Sequence, residues 1–191
     1  MNESLLDCVT TDIIEVFSYL PMAFLIGMGY AVLFGLVCLC VHRAGKQLSK
    51  KGLSRYFFGS TLFVIYFVVL LNTVFFSREL NSRTGTEMRL FGTWGVTMQA
   101  HAWVIENVLL FIPFGLLLPF FFPKGWNWVI MVLGFVCSVA IESIQLYTGY
   151  GFCQLDDVVM NTLGSMIGYL LYAGSYKIAK RREIGKRGEC L

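Results

Sequence analysis

Five long apolar runs dominate the pattern of hydrophobic and polar positions along the chain. Each run is close to the roughly 20 residues that a helix needs to cross a bilayer. The sequence therefore predicts an all-α fold, in the form of a polytopic integral membrane protein with five transmembrane helices. The predicted helices one to five cover Ile13–Val41, Tyr56–Phe76, Trp103–Phe122, Trp128–Tyr147 and Val158–Tyr176.

The first run is too acidic at its start to be a secretory signal peptide. Acidic residues stand where the basic segment of a signal peptide should be, at Glu3, Asp7, Asp12 and Glu15. We therefore interpret the run as a true membrane span. Because it is longer than one crossing needs, either the helix tilts or its first turns, Asp12–Tyr19, lie in the interface before Pro21.

The polar residues of predicted helix four stand on one face. Ser138, Glu142 and Gln145 occupy positions i, i+4 and i+7, which a helix places in one stripe. A bilayer makes such groups costly unless they are partnered or functional, so the stripe is expected to point inward. Glu142 lies about one to two turns from the end of its predicted span, away from both the surface and mid-membrane.

Predicted helix five begins with a pair of acids and continues with a polar stripe. Asp156 and Asp157 have a structural explanation, because aspartate at a helix N-terminus caps free backbone amides and interacts favourably with the helix dipole. From Asp157, the same face continues through positions i+4, i+7 and i+11, which are Asn161, Gly164 and Gly168. The two glycines predict close packing, which should bring Asp157 and Asn161 against predicted helices three and four.

Predicted helix three carries Asn107 beside Glu106 and is interrupted by Pro113. Proline removes a backbone donor and frees the carbonyl of Leu109, so we expect a kink there and a group that satisfies the freed carbonyl. Three helix ends thus converge. We predict a ligand-binding pocket lined by Asn107, Glu142, Gln145, Asp156, Asp157 and Asn161.

The positions of the basic residues predict the orientation of the chain. Of the fifteen Lys and Arg residues, all but three fall on one side of the predicted helices, which the positive-inside rule assigns to the cytoplasm. These residues are Arg43, Lys46, Lys50, Lys51, Arg55, Lys124, Lys177, Lys180, Arg181, Arg182, Lys186 and Arg187. The N-terminus is therefore expected outside and the C-terminus in the cytoplasm, and the predicted pocket faces outside.

The three remaining basic residues, Arg78, Arg83 and Arg89, lie in the long outer loop after predicted helix two. One interpretation is ordinary solvated charge. In the other, an arginine folds back over the pocket and neutralises its carboxylates, or clamps an anionic ligand. On that second interpretation, Arg78 and Arg83 join the candidate ligand-binding residues.

Composition supports one compact membrane domain. Of the 191 residues, 57% are hydrophobic and only 14% are charged, which is too apolar for an ordinary soluble domain. We divide the chain into a first helix with a basic loop (1–55), a four-helix membrane domain (56–176) and a basic cytoplasmic tail (177–191). The net charge of +3 does not argue for nucleic-acid binding, because the basic clusters flank membrane spans and suit anionic lipids.

No spacing in the sequence predicts a metal site, and no motif predicts a cofactor. No nucleophile with an adjacent histidine base is visible either, since His42 is expected in the cytoplasm and His101 in the outer loop. Of the six cysteines, only Cys8 and Cys153 share the outer side, where the compartment allows a disulfide between them.

Three motifs resemble those of the VanZ-like family of bacterial membrane proteins, in the same order and with short connections. They are NVLLFIPFG (Asn107–Gly115), IESIQ (Ile141–Gln145) and LDDVVMNTLGSMIGY (Leu155–Tyr169). The resemblance covers about residues 60 to 175 and leaves predicted helix one as an addition. It implies a location in the bacterial cell membrane and a role in low-level resistance to teicoplanin and related lipoglycopeptides, without a settled reaction.

One stretch departs from the family pattern. Members often carry a basic residue in the turn before the paired aspartates, where this chain has Tyr150, and an acidic residue nearer the pair, where it has Gln154. If that basic residue helps to bind a ligand in other members, this chain either lacks the contact or supplies it from Arg78, Arg83 or Arg89.

Three functions are compatible with the residues and the resemblance. The first is a binding protein whose pocket takes a lipoglycopeptide antibiotic, a membrane lipid or a lipid-linked cell-wall precursor. The second is an intramembrane enzyme in which Glu142 and Asp157 act as acid and base on a peptide or lipid headgroup, with or without a hard cation beside Asn161. The third is a small transporter, although the inverted repeats expected of a transporter are not visible in the sequence.

Overall fold

The computed structural model describes residues 4–44, 50–77, 85–92, 97–122 and 127–188, and most of these are helical. The helices are α1 (Leu5–Ser18), α2 (Leu20–Arg43), α3 (Lys50–Leu71) with a π-helical extension (Asn72–Phe76), α4 (Met98–Leu117) with a 3-10 extension (Leu118–Phe120), α5 (Asn127–Thr148) and α6 (Leu155–Gly188). Two short strands, β1 (Thr86–Glu87) and β2 (Cys153–Gln154), pair in parallel with Thr86 opposite Cys153.

Four stretches of helix in the described residues are long and apolar enough to cross a membrane. They are Leu5–Arg43, Gly52–Phe76, Met98–Phe120 and Trp128–Thr148. The predicted all-α membrane fold is therefore confirmed. The fifth predicted span is helical as well, within α6, but it is not among these four because residues such as Asn161, Ser165 and Gly168 lower its hydropathy. The count of five crossings and the orientation of the chain stay predictions.

Tyr19 divides the first apolar run into two helices. α1 begins with a capping box, in which the Ser4 hydroxyl accepts from the N–H of Asp7 and the Asp7 carboxylate accepts from the N–H of Ser4. Pro21 lies in the first turn of α2, where a missing N–H breaks no helical hydrogen bond. The two helices then have different neighbours, because α1 packs against α4 and α2 packs against α3.

α4 and α6 form the most extensive helix pair in the described fold. A Cβ atom at Gly164 would overlap the carbonyl of Val108, and one at Gly168 would overlap the carbonyl of Ile112. The absence of side chains at these positions lets the two backbones approach closely. The predicted close packing is confirmed, and it brings the first turns of α6 beside α4, with α5 also packed on α6.

An aromatic core fills the space between α3, α4 and α5. Phe111 is completely buried and packs on Phe114, with the two ring centroids 5.7 Å apart. The other buried members are Tyr66, Leu70, Val74, Phe75, Leu118, Ile130 and Ile141. This core fixes the three helices relative to one another and so positions the polar side chains that they carry.

Candidate functional site

A cavity of about 680 Å³ lies between α1, α3, α4, α5 and the start of α6. It is lined by five of the side chains that the sequence predicts as ligand-binding: Asn107, Glu142, Gln145, Asp157 and Asn161. They come from three helices and three separate stretches of sequence. The stripe predicted on α5 does point inward, since Ser138, Glu142 and Gln145 are all buried.

Glu142 is 3% exposed and ties α5 to the segment before α6. Its Oε2 accepts a hydrogen bond from the backbone N–H of Gln154 at 2.8 Å. Glu142 also lines an apolar groove of about 750 Å³, which includes Val139, Leu146 and Val158. The residue therefore lies in the wall between a polar cavity and an apolar groove.

Gln145 and Asn161 use their amide nitrogens to hold helices together. Each residue is 3% exposed. Nε2 of Gln145 donates to the carbonyl of Val74 at 3.3 Å, and Nδ2 of Asn161 donates to Oγ of Ser138 at 2.9 Å. The two amide oxygens are buried and have no hydrogen-bond donor among the described residues. Because buried polar atoms are normally hydrogen-bonded, each oxygen is an unused acceptor on a cavity-lining residue.

Pro113 interrupts the hydrogen-bond ladder of α4 at the cavity. Tyr66 on α3 donates its hydroxyl to the carbonyl of Leu110 at 3.0 Å, and all three residues line the cavity. The tyrosine therefore bonds the carbonyl next to that of Leu109, and the donor expected for Leu109 stays a prediction. This contact joins α3 to α4 at the depth where proline weakens the helix.

Asp156 is not among the residues that line the cavity. It is 2% exposed, and its Oδ1 accepts from the backbone N–H of Phe91 at 2.5 Å. Phe91 has a φ of 60°, which is uncommon for a bulky residue and needs support from its surroundings. Asp156 therefore anchors the segment 85–92 to the start of α6, a position that differs from the predicted ligand contact.

Arg78 and Arg83, the predicted counter-charges, lie outside the described residues. Arg89 is described and exposed, and its backbone N–H donates to Oε1 of Glu87 at 3.1 Å. Of the described side chains that line the cavity, none is basic. The interpretation that an outer-loop arginine folds over the carboxylates stays a prediction.

Sequence reasoning missed one wall of the cavity, which is supplied by α1. Asp12, Glu15 and Tyr19 line this wall, and Gln99 and Glu106 of α4 line the part beside it. Nε2 of Gln99 donates to Oδ2 of Asp12 at 2.7 Å. The carboxyl groups of Asp12 and Glu106 are close enough to interact electrostatically. The sequence signal for this wall is the presence of acidic residues inside apolar runs, which suggests that these residues are partnered or functional. That signal does not show which helices pack against each other.

The charged side chains that line the cavity in the described part of the chain are all acidic. They are the five carboxyl groups of Asp12, Glu15, Glu106, Glu142 and Asp157. Their effect reaches β2, where burial and then the negative charges of Glu142 and Asp157 raise the pKa of the Cys153 thiol. This described lining favours groups that carry positive charge or donate hydrogen bonds.

Cys8 and Cys153 are both thiols, so the disulfide allowed by their compartment is not formed. Among the described residues, no three His, Cys, Asp or Glu side chains are grouped so that they could hold a metal ion. The described polar groups of the site are carboxyl, amide and hydroxyl groups, which lie beside aromatic rings. Such groups can bind cations and hydrogen-bond donors, and carboxylates can also transfer protons.

A family model described as VanZ/LLP1 matches residues 60–178 of the chain. The chain belongs to the VanZ/LLP1 family. The resemblance predicted from the three motifs is therefore confirmed. Together with the four apolar helices, membership of the VanZ/LLP1 family identifies a multi-pass bacterial membrane protein.

Protein VanZ of Enterococcus faecium is similar to this chain, with 34% identity over 83 residues. The match covers 44% of this chain and 52% of that relative, so the chain spans about half the length of the curated relative it matches. No solved structure matches the chain. The VanZ/LLP1 match begins within α3, so α1 and α2 lie outside the part shared with the family.

Proposed function

We propose that this VanZ-family protein contributes to low-level resistance to teicoplanin and related lipoglycopeptides. It does so by binding the drug, a membrane lipid or a lipid-linked cell-wall precursor in the cavity. One observation carries the proposal: Asn107, Glu142 and Asp157, one residue from each of the three family motifs, line the same cavity. Polar groups are costly at membrane depth, so their convergence is better explained by a ligand than by packing alone.

The size and predicted position of the cavity support binding of part of an amphipathic molecule. Small-molecule sites usually measure roughly 300–1,000 Å³, and this cavity, at about 680 Å³, accommodates a headgroup or one arm of a larger molecule. The predicted orientation places it on the outer side of the membrane, where the family resemblance implies that the antibiotic acts.

The test measures teicoplanin susceptibility of cells that carry single variants at equal membrane abundance: Asn107→Ala, Glu142→Gln, Asp157→Asn and Asn161→Ala. Each change removes a polar contact, so ligand affinity should fall roughly two- to a hundredfold and protection should fall towards that of cells without the protein. Parental protection by all four variants would mean that the polar cluster is structural, and the proposal would fail.

Asn72→Ala is the matched control. Asn72 is a buried asparagine on the π-helical extension of α3, and its Nδ2 donates to the carbonyl of Val68 at 2.8 Å. It does not line the cavity. Removing it should leave resistance unchanged once abundance is matched, so a loss of resistance specific to the four cavity variants reports on the cavity.

An intramembrane enzyme that acts on a peptide or lipid headgroup is the second candidate. Glu142 and Asp157 both line the cavity, and both charges raise the pKa of Cys153. Two carboxylates near one point suit acid and base roles. Under the enzyme hypothesis, isotope-labelled cell-wall precursors show a changed glycan, peptide or lipid. An unchanged precursor profile with intact resistance favours binding instead.

A further inference from the structure

Two carboxyl groups from different helices line the cavity wall formed by α1 and α4. Asp12 and Glu106 face the same cavity and are close enough to interact electrostatically. Gln99 donates to Oδ2 of Asp12 at 2.7 Å and so holds that carboxylate in place. Oε1 of Glu106 is buried and has no donor among the described residues. Two ionised carboxylates at this separation repel each other, so the pair requires either a shared proton or a cation.

Two amides in the same cavity give a second reason to expect a donor-bearing ligand. Gln145 and Asn161 are each 3% exposed, and their amide oxygens have no donor in the described part of the chain. Their amide nitrogens are already used to hold α5 to the extension of α3 and to α6. Two residues of the cavity lining therefore hold unsatisfied acceptors in addition to its acids. A ligand that brings both positive charge and several N–H groups satisfies both needs.

The aromatic and apolar lining restricts the shape of such a ligand. Trp103 and Tyr66 line the cavity, and aromatic faces attract ammonium groups. Phe17 and Leu109 also line it but are 60% and 44% exposed, so this edge of the cavity is apolar and open. Exposed apolar side chains of this kind suit contact with the hydrocarbon part of a ligand or lipid. The lining suits a molecule with a cationic head and an apolar body.

An ammonium group fits this lining better than a bare metal ion. Ca²⁺ takes about six to eight oxygen ligands, whereas no three His, Cys, Asp or Glu side chains in the described residues are grouped for metal binding. A primary ammonium group needs only three acceptors and one compensating charge. The Asp12 and Glu106 carboxylates supply both.

We propose that the cavity binds the primary ammonium group of an amphipathic molecule between Asp12 and Glu106, with the apolar part of the molecule at the edge formed by Phe17 and Leu109. The proposal rests on the proposed function, since it names the ligand class of the same cavity. Asp12 lies outside the residues matched by the VanZ/LLP1 family. One half of the ammonium site is therefore contributed by the N-terminal helix and not by the shared family fold.

The test uses the full chain purified in a neutral detergent and measures its thermal unfolding with three probes of equal chain length: octylammonium, octanol and octanoate. Octylammonium should raise the unfolding temperature in a saturable way, whereas the neutral and anionic probes should not. The double variant Asp12→Asn/Glu106→Gln should bind octylammonium roughly tenfold or more weakly, because it removes both charge-assisted contacts. Asp7→Asn, on an exposed residue of α1 outside the cavity, should bind it as the parent does.

Competition then identifies the natural source of the ammonium group. Displacement of octylammonium by phosphatidylethanolamine, but not by phosphatidylglycerol, assigns the site to a lipid headgroup. Displacement by an amine-bearing lipoglycopeptide assigns it to the drug. Equal stabilisation by all three octyl probes in the unmodified protein would overturn the ammonium site, and this measurement does not depend on any variant folding correctly.

The outcome also separates this proposal from the proposed function. Equal effects of the three probes, together with loss of resistance in Glu142→Gln, would overturn the ammonium site and leave the function standing. Selective octylammonium binding that is lost in the double variant, together with parental resistance in all four cavity variants, would support the site and overturn the function.

Discussion

Glu142 and Asp156 are both buried carboxylates, and each accepts a backbone N–H. Glu142 bonds Gln154, in the strand that precedes α6, and Asp156 bonds Phe91, in the segment 85–92. Hydrogen bonds to an ionised acceptor are stronger than neutral ones. These two contacts therefore fix the backbone around β1 and β2, and Glu142 combines that structural role with a position in the cavity lining.

Alkylation of Cys153 should report the charge of Glu142. The thiolate is the reactive form, and burial together with the charges of Glu142 and Asp157 raises the pKa of the Cys153 thiol. Glu142→Gln removes one of those charges, so the pKa should fall and alkylation should accelerate at any fixed pH below the midpoint. The measurement is the pH dependence of iodoacetamide alkylation in a variant whose only cysteine is Cys153.

Glu15→Gln serves as the control for this measurement. Glu15 lines the cavity from α1, but it does not contribute to the pKa of Cys153. Its substitution should leave the pH profile in place. An unchanged profile in Glu142→Gln would show that the carboxylate and the thiol are not electrostatically coupled.

Sequence periodicity anticipated the side chains of the cavity better than their partners. The spacing of Ser138, Glu142 and Gln145 is a local property of one helix, so it could be read directly. The partner of Asp156 could not be predicted in this way, because Phe91 lies 65 positions away in a segment without periodicity. Every residue except proline has a backbone N–H, so the residue type does not reveal which one bonds a distant carboxylate.

At the scale of elements, the contact between α4 and α6 sets the geometry of the cavity. Asn107 on α4, and Asp157 and Asn161 on α6, line the cavity from neighbouring helices. Their separation depends on how closely the helices approach, which in turn depends on the glycines at the contact. A wider crossing would move these side chains apart.

Alanine substitution of two glycines of α6 should have opposite effects on stability. At Gly168, a Cβ would overlap the carbonyl of Ile112, so Gly168→Ala should lower the free energy of unfolding by about 1–3 kcal/mol. At Gly174, a Cβ would meet no atom within 4 Å. Gly174→Ala should therefore be neutral or stabilise by up to about 1 kcal/mol, because alanine favours helix more than glycine does.

Denaturant or thermal unfolding of the two purified variants in the same detergent provides the measurement. Similar stabilities for Gly168→Ala and Gly174→Ala would contradict the close crossing. Retention of parental stability by Gly168→Ala would also show that the helices can separate without loss and that this contact does not fix the cavity.

Hydropathy identified the long helices but did not decide between a tilted first helix and one divided before Pro21. The apolar stretch continues through Tyr19, so composition alone does not show that α1 ends and α2 begins there. Nor does it show that α1 packs on α4, because contacts between helices in lipid depend on surface shape and polar pairing. The strands β1 and β2, with two residues each, are too short to show any period.

At the scale of the whole molecule, the predicted orientation decides which compartment the cavity faces. Single cysteines at Tyr150, Lys50 and Arg181, in a cysteine-free background, test it with a membrane-impermeant maleimide. Tyr150→Cys should be labelled from outside, and Lys50→Cys and Arg181→Cys only after the membrane is opened. Labelling of Tyr150→Cys and Lys50→Cys from the same side would overturn the five-helix topology. If Arg181→Cys and Tyr150→Cys are labelled from the same side of the membrane, α6 does not cross it.

The contact between α1 and α4 also has a consequence for biogenesis. Asp12 and its hydrogen-bond partner Gln99 are separated by 87 positions. At a synthesis rate of roughly 5–20 residues per second, α1 leaves the ribosome about 4–17 s before the residue that bonds it. During that interval the acidic face of α1 must stay in the interface or be shielded by the insertion machinery. The first helix made is therefore among the last to reach its final place.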